Sequence, residues 1–190
     1  MTESNLIYAA RQGDDSAWDA LVMQHQQAIF RFACLLMQDS QEAEDVAQET
    51  FIRAYRFLPQ FDPARKWRSW LLGICANVAR NRQRSISRYW THLRSMARQQ
   101  VNDAHSDDPA AQDADVQLLR QAIAKLEEVD QEIVYLRYFL DLSVEETAEA
   151  LKVATGTVKS RLHRALTRLR GILQRDFPVL WEERGQHEQQ

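Results

Sequence analysis

The sequence predicts an all-α protein built as two small helical domains joined by a flexible linker, and three observations carry that reading. Glycine and proline are scarce, five and four in 190 residues, whereas the helix-favouring residues Ala, Leu, Gln, Glu and Arg abound. Apolar residues recur at spacings of three and four along most of the chain, the period of a helix that buries one face. Over 99–114 this pattern stops. The stretch QQVNDAHSDDPAAQDA has one β-branched residue, no aromatic and a run of acids, too little apolar surface to order itself. The expected division is therefore a first domain over 1–94, an acidic linker over 95–114, a second domain over 115–176 and a tail over 177–190.

Each element has its own signal. Ser4 can cap a short helix that Gly13 ends, and Asp14 or Asp15 can cap the next. That second helix carries Trp18, Leu21, Val22, His25, Ile29, Phe32, Ala33 and Leu36 on one stripe. Asp39 with Glu42 three residues on starts a third helix, which Pro59 stops. After the loop QFDPARK, a fourth helix runs from about Trp67 to Ser87 and buries Trp67, Leu71, Ile74, Cys75 and Val78. Beyond the linker come short helices near 115–127 and 130–140, then SVEE at 143–146, a capping box for a helix of about two turns. KVATGT turns the chain into a last helix with Val158, Leu162, Ala165, Leu166, Leu169, Ile172 and Leu173 on one side. A short helix, a glycine-bearing turn and a longer basic helix make a helix-turn-helix.

The net charge of −3 taken alone argues against a nucleic-acid partner, but its distribution argues for one. From 63 to 102 there are Arg65, Lys66, Arg68, Arg80, Arg82, Arg84, Arg88, Arg94 and Arg98 and no acid. From 152 to 175 there are Lys152, Lys159, Arg161, Arg164, Arg168, Arg170 and Arg175, again with no acid. Two separate cationic surfaces are implied. Cys34 and Cys75 are the only cysteines and each lies in an apolar helical pattern, so neither a disulfide framework nor a four-ligand zinc site is expected and a reducing cytoplasm fits. The polar start MTESN lacks the basic and apolar stretches of a signal peptide, and no apolar run is long enough to span a bilayer. His25, His92, His105, His163 and His187 are scattered and pair with no evident base; no catalytic residue, metal or cofactor is expected.

Three clusters carry chemistry. On a wheel of 100° per residue, Ser160, His163, Arg164 and Thr167 lie opposite the apolar stripe of the last helix, with Lys159 and Arg161 on its flanks. Such side chains suit phosphates and guanine edges in a major groove; a solvated basic face is the plain alternative. On the fourth helix Asn77, Arg80, Asn81, Arg84 and Arg88 share one polar stripe, with Trp70 two turns before Asn77 at its edge. Arginines suit phosphates, asparagine amides suit base edges, and aromatic rings offer stacking platforms, a combination that fits melted nucleic acid. The neighbouring aromatics Phe61, Trp67, Tyr89 and Trp90 fit a core equally well, and Trp67 points into the apolar stripe. Glu42, Glu44, Asp45 and Glu49 form a carboxylate cluster on the third helix. No Glu-x-x-His pair accompanies it, against a di-iron site. A solvated acidic helix start and a protein-binding face that continues through Gln48, Ile52, Tyr55 and Arg56 both remain open.

The segments EAEDVAQETFIRAYRFLPQF (42–61) and WRSWLLGICANVARNR (67–82) resemble conserved region 2 of the extracytoplasmic-function sigma factors, and LDLSVEETAEALKVATGTVKSRLHRALTRLR (140–170) resembles their region 4. The resemblance implies a non-enzymatic specificity subunit that directs RNA polymerase core to promoters. Asp45, Gln48 and Glu49, with Ile52 and Tyr55 beyond them, match the contact with the clamp helices of the largest polymerase subunit. Phe61 and Asn77 match positions that line the pocket for a flipped minus-10 base, with Trp70, Arg80, Asn81 and Arg84 around them. Thr157, Lys159, Ser160, Arg161, His163 and Arg164 match the helix that reads the minus-35 element. Promoter DNA, the polymerase flap region and an anti-sigma factor are the further partners implied. The sequence departs from the family pattern at Glu127, at the Lys152 and Ala154 turn, and in the extension DFPVLWEERGQHEQQ, which is expected to be a capping turn. A helix-turn-helix regulator acting on duplex operators without polymerase is the rival reading; it would need only the last domain and leaves the basic, aromatic-bearing fourth helix without a task.

Overall fold

The computed structural model describes residues 2–96 and 114–178. Most of the expected linker and the tail after Pro178 lie outside the described residues. The chain divides into two units. Helices α1 (Glu3–Arg11), α2 (Asp15–Met37), α3 (Ser40–Phe57) and α4 (Trp67–Met96) make the first. Helices α5 (Ala114–Ala124), α6 (Glu128–Val134) and α8 (Thr155–Asp176), with the start of α7 (Val144–Leu151), make the second. All described regular structure is helical.

In the first unit α2 packs against α1, α3 and α4, and α3 packs against α4. The centre holds Leu21, Ile29, Phe32, Ala43, Leu71 and Leu72, all essentially inaccessible to solvent. Asp14 caps α2, its carboxylate accepting from the Ala17 N–H at 3.1 Å. Asp39 caps α3 by accepting from the Glu42 N–H at 2.8 Å. The first helix starts earlier than the sequence suggested: Thr2, not Ser4, is the cap, its hydroxyl accepting from the Asn5 N–H. The reciprocal half of the expected box at α3 is also missing, because the Glu42 carboxylate turns to Arg82 of α4. Pro59 sits in a 3-10 turn, Leu58–Gln60, directly after α3. Helix α4 runs to Met96, well past the expected end near Ser87.

The second unit packs α5 and α6 on α8, around Ile123, Ile133, Leu136, Val158 and Ala165. Helix α6 passes into a π-helical turn, Tyr135–Phe139. Burial of the Tyr135 ring pushes its phenol up to about 12. The box at α7 is complete: the Ser143 N–H donates to the Glu146 carboxylate at 2.6 Å, and the Glu146 N–H donates to the Ser143 hydroxyl at 3.0 Å. In the turn before α8, Lys152 takes a φ of 56°, a left-handed conformation that costs an L residue roughly 1 kcal/mol and that glycine adopts without strain. At the far end of α8, Asp176 accepts from Lys125, in the turn just after α5, at 2.6 Å. The same ammonium lies 4.9 Å from the centre of the Phe177 ring, so the start of the C-terminal extension closes the end of the helix.

Candidate nucleic-acid and protein interfaces

An aromatic cluster joins the loop after α3 to the start of α4. The rings of Phe61 and Trp67 meet edge-on at 5.0 Å, those of Phe61 and Trp70 at 4.9 Å, and those of Trp67 and Trp70 at 4.8 Å. Trp67 is 1% exposed, a core residue. Phe61, expected as the aromatic wall of a base pocket, is only 3% exposed. Its ring fills the space between the 3-10 turn and the first turn of α4, where burial stabilises the loop by roughly 2 kcal/mol. Trp70 is the half-buried member and the one with surface to offer. A cavity of about 490 Å³ opens beside this cluster. Tyr8 and Arg11 of α1 line it together with Phe61, Lys66 and Arg68. Asn77 is not among the residues that line this cavity.

Along α4, Asn77, Asn81 and Arg84 are exposed and Arg80 is half-buried on the same stripe. Arg80 is arched backwards. Its Nε donates to the Ala76 carbonyl at 3.3 Å and its Nη2 to Asn77 Oδ1 at 2.5 Å. Arg82 leaves the stripe: it lies roughly 140° from Asn77 on the helical wheel and reaches α3, where Nη2 donates to Glu42 Oε1 at 3.1 Å and to Asp45 Oδ2 at 3.2 Å. The two carboxylates, Glu42 foremost, hold the guanidinium above its ordinary range.

The acidic cluster thus has an internal counter-charge. Arg53 pairs Glu49 one turn along α3 at 2.7 Å. A groove of about 460 Å³ runs between α3 and α4, lined by Asp45, Gln48, Glu49 and Ile52 on one side and by Asn81 and Arg82 on the other. Ile52 and Tyr55 are 53% and 47% exposed, and the Tyr55 ring rests edge-on at 5.0 Å against Trp18 of α2. The face is therefore polar at its N-terminal end and apolar at its C-terminal end, the composition of a protein-docking patch. Sequence reasoning counted Arg82 among the cations of α4 and missed its bridge to α3; its wheel angle was the available signal, but its partner stands forty residues away.

In the second unit Lys159, Ser160, His163 and Arg164 are exposed on one side of α8, and Thr157 and Arg161 are half-buried at its margins. Their bonds run along their own helix. The Ser160 hydroxyl donates to the Thr157 carbonyl at 3.1 Å and Arg164 Nε to the Ser160 carbonyl at 3.4 Å. One turn on, Arg168 points elsewhere and pairs Glu127 and Asp130 at 3.1 and 2.9 Å. Among the described residues no group of His, Cys, Asp and Glu side chains is arranged to hold a metal, and no helix is long and apolar enough to cross a membrane.

Comparison with known proteins gives these surfaces a context. Residues 21–89 match the Sigma-70 region 2 family and residues 116–169 match Sigma-70, region 4. The ECF RNA polymerase sigma factor SigW of Bacillus subtilis is 32% identical over 173 residues, covering 86% of this chain and 92% of that protein. The RNA polymerase sigma-H factor of Pseudomonas aeruginosa is 31% identical over 189 residues, covering 95% and 96%. Among solved structures, CnrH in complex with the cytosolic domain of CnrY superposes with a TM-score of 0.69 at 25% identity, covering 92% of this chain and 98% of that one. The sigma factor RpoE in complex with the anti-sigma factor NepR from Bartonella quintana superposes with a TM-score of 0.66 at 25% identity, covering 83% and 97%.

Proposed function

The chain belongs to the extracytoplasmic-function group of the sigma-70 family, which directs RNA polymerase to promoters, and on that premise we propose how its two units divide the work. The exposed face of α3, from Asp45 through Gln48 and Glu49 to Ile52 and Tyr55, docks on the clamp helices of the largest polymerase subunit. The stripe of α4, with Trp70, Asn77, Asn81 and Arg84, meets the minus-10 strand once it is melted. Helix α8 enters the major groove of the minus-35 element with Lys159, Ser160, Arg161, His163 and Arg164, and the second unit meets the flap region. The protein carries no chemistry of its own, works in the cytoplasm beside polymerase, and is held in reserve by an anti-sigma factor.

One observation supports this reading: two strongly cationic helices, α4 and α8, stand on separate units, and the first unit also presents a face on α3 that is acidic at one end and apolar at the other. A regulator that works alone on duplex operators has use for α8 but for neither surface of the first unit. The test is a pull-down with purified core polymerase followed by transcription from promoters carrying minus-10 and minus-35 elements. Stable capture with promoter-dependent transcript supports the reading. Tight binding to duplex DNA with no capture of core would replace it with the regulator.

A further inference from the structure

The cavity beside the aromatic cluster of the first unit lies off the stripe assigned to the melted strand, and its walls suit a different ligand. On the helical wheel Arg68 stands roughly 180° from Asn77. Arg11, Lys66 and Arg68, all exposed, surround the cavity, and the one acid among its lining residues, Glu3, pairs with His25 at 2.9 Å. Arg11 is held at the end of α1, where its Nη2 donates to the Pro59 carbonyl at 2.7 Å, and its guanidinium has further N–H groups to offer. The first turn of α4 forms part of the wall and contains no acid. The amide end of this long helix adds a partial positive charge there, the usual setting of an anion site. Trp67, in that same turn, supplies an independent sign. It lines the cavity and is 1% exposed, and its indole Nε1 has no hydrogen-bond partner among the described residues. A buried donor left unpaired is costly and calls for an acceptor. Tyr8 of α1, 69% exposed, gives the cavity an aromatic edge on which a ring can stack.

We propose that this cavity binds a free nucleoside phosphate. The phosphates sit at the N-terminus of α4 among Arg11, Lys66 and Arg68, and the oxygen nearest Trp67 accepts from the indole N–H. That donor is screened from water in the chain alone, so a small shift of the side chains over it accompanies binding. The base stacks on Tyr8. At about 490 Å³ the cavity has the size of an ordinary small-molecule site. Each feature answers to one part of the ligand. A bare inorganic anion would use the cations and leave Tyr8 without a task, and an apolar ligand would cover the cations with no counter-charge. A DNA strand carries the same phosphate and ring chemistry, but a strand laid along Trp70, Asn77 and Arg84 runs on the side of α4 that Arg68 faces away from.

Calorimetric titration of the full chain with ADP, adenosine, inorganic phosphate and a single-stranded hexadeoxynucleotide tests the site. ADP is expected to bind roughly tenfold or more tightly than adenosine or phosphate, because it alone engages the cations and the ring together. Lys66→Ala and Arg68→Ala each weaken ADP by roughly tenfold. Tyr8→Ala weakens ADP roughly fivefold and leaves phosphate unchanged. Trp67→Phe keeps an aromatic ring without the donor and weakens ADP roughly fivefold. Thermal unfolding shows whether that core variant is folded; the exposed Tyr8, Lys66 and Arg68 variants decide the matter without it. Arg31→Ala, exposed on α2, binds ADP as the wild type does. Failure of ADP to bind at millimolar concentration overturns the inference. ADP binding that survives Lys66→Ala and Arg68→Ala together places the nucleotide elsewhere and overturns it as well. Phosphate binding as tight as that of ADP reduces the cavity to an anion site and removes the nucleoside. A hexadeoxynucleotide that depends on Lys66 and Arg68, with no binding of ADP, gives the cavity to the melted strand and overturns the assignment to a free ligand.

Discussion

Helices α4 and α8 are alike in charge and unlike in how they spend it. On α4 the functional stripe is tied to its surroundings: Arg80 fixes the Asn77 amide, Arg82 bridges to two carboxylates of α3, and Trp70 leans on Phe61 and Trp67. On α8 the Ser160 hydroxyl bonds the Thr157 carbonyl and Arg164 bonds the Ser160 carbonyl, both within their own helix, and the first side chain on that helix to reach another element is Arg168, one turn on, which pairs Glu127 and Asp130. The difference fits two substrates. A helix that enters a major groove must project, with side chains free to settle on base edges already held in place by the duplex. A surface that receives an unpaired base has no such frame on the nucleic-acid side, so the frame has to be in the protein.

The largest expected effect tests whether the two helices are delivered by a common docking event. Exchanging both Asp45 and Glu49 for Lys is expected to weaken core binding at least 100-fold, about 3 kcal/mol, and to abolish promoter-directed transcription from both elements at once. Thermal unfolding should change little, since exposed charges contribute about 0–1 kcal/mol each. Titration with labelled core checks it. Unchanged affinity would detach α3 from polymerase and leave the two helices as independent DNA readers.

Next in size is Arg164→Ala on α8, expected to cost roughly 1–3 kcal/mol on a minus-35 duplex and to relax one base position. Affinities across single-base variants of the element measure it. An equal loss on every sequence would move Arg164 to a phosphate and blur the contrast with α4.

How much of this was legible in the sequence follows from what is local. Caps at Asp14, Asp39 and Ser143, the stop at Pro59 and the outward face of α8 depend on residues a turn or two apart, and each is found where the spacing puts it. The end of α4 was misplaced because nothing between Ser87 and Met96 breaks a helix: no glycine or proline occurs there. Phe61 could not be assigned by pattern, since a loop aromatic has no period, and only the meeting of the 3-10 turn with α4 decides that its ring goes inward. The Arg82 bridge and the Asn77–Arg80 pair needed coordinates for opposite reasons, one being long in sequence and the other being a matter of which way a side chain folds.

A smaller effect belongs to α4 alone. Asn77→Ala removes one hydrogen-bonding amide, worth about 1 kcal/mol, and is expected to slow open-complex formation roughly five- to tenfold while leaving core binding and minus-35 affinity as they are. Permanganate footprinting of the minus-10 strand follows the melted bases directly. If the variant also lost minus-35 affinity, the two helices would not be separable in the way their surroundings suggest.

The smallest expected effect distinguishes the units by pH. His25 of α2 is buried, and its Nε2 lies 2.9 Å from Glu3 of α1. Burial pushes the imidazole below its usual range; the Glu3 carboxylate opposes this, and Arg68 of α4 adds to the lowering. In the unfolded chain the ring takes its proton near 6.5, whereas in the folded chain it stays neutral to lower pH. Below 6.5 the unfolded state therefore binds more protons, so the stabilisation present above that value shrinks as the pH falls toward the folded pKa. The second unit has no buried imidazole among its described residues, His163 being exposed on α8. Hydrogen-exchange protection, corrected for intrinsic rates, is thus expected to fall in α2 and hold in α6 between about pH 7.5 and 5.5, a window in which ordinary carboxylates stay ionised. His25→Gln should flatten the response of α2. Equal losses in both units would mean that acid acts on the chain as a whole, and the imidazole beneath α1 would have no part in it.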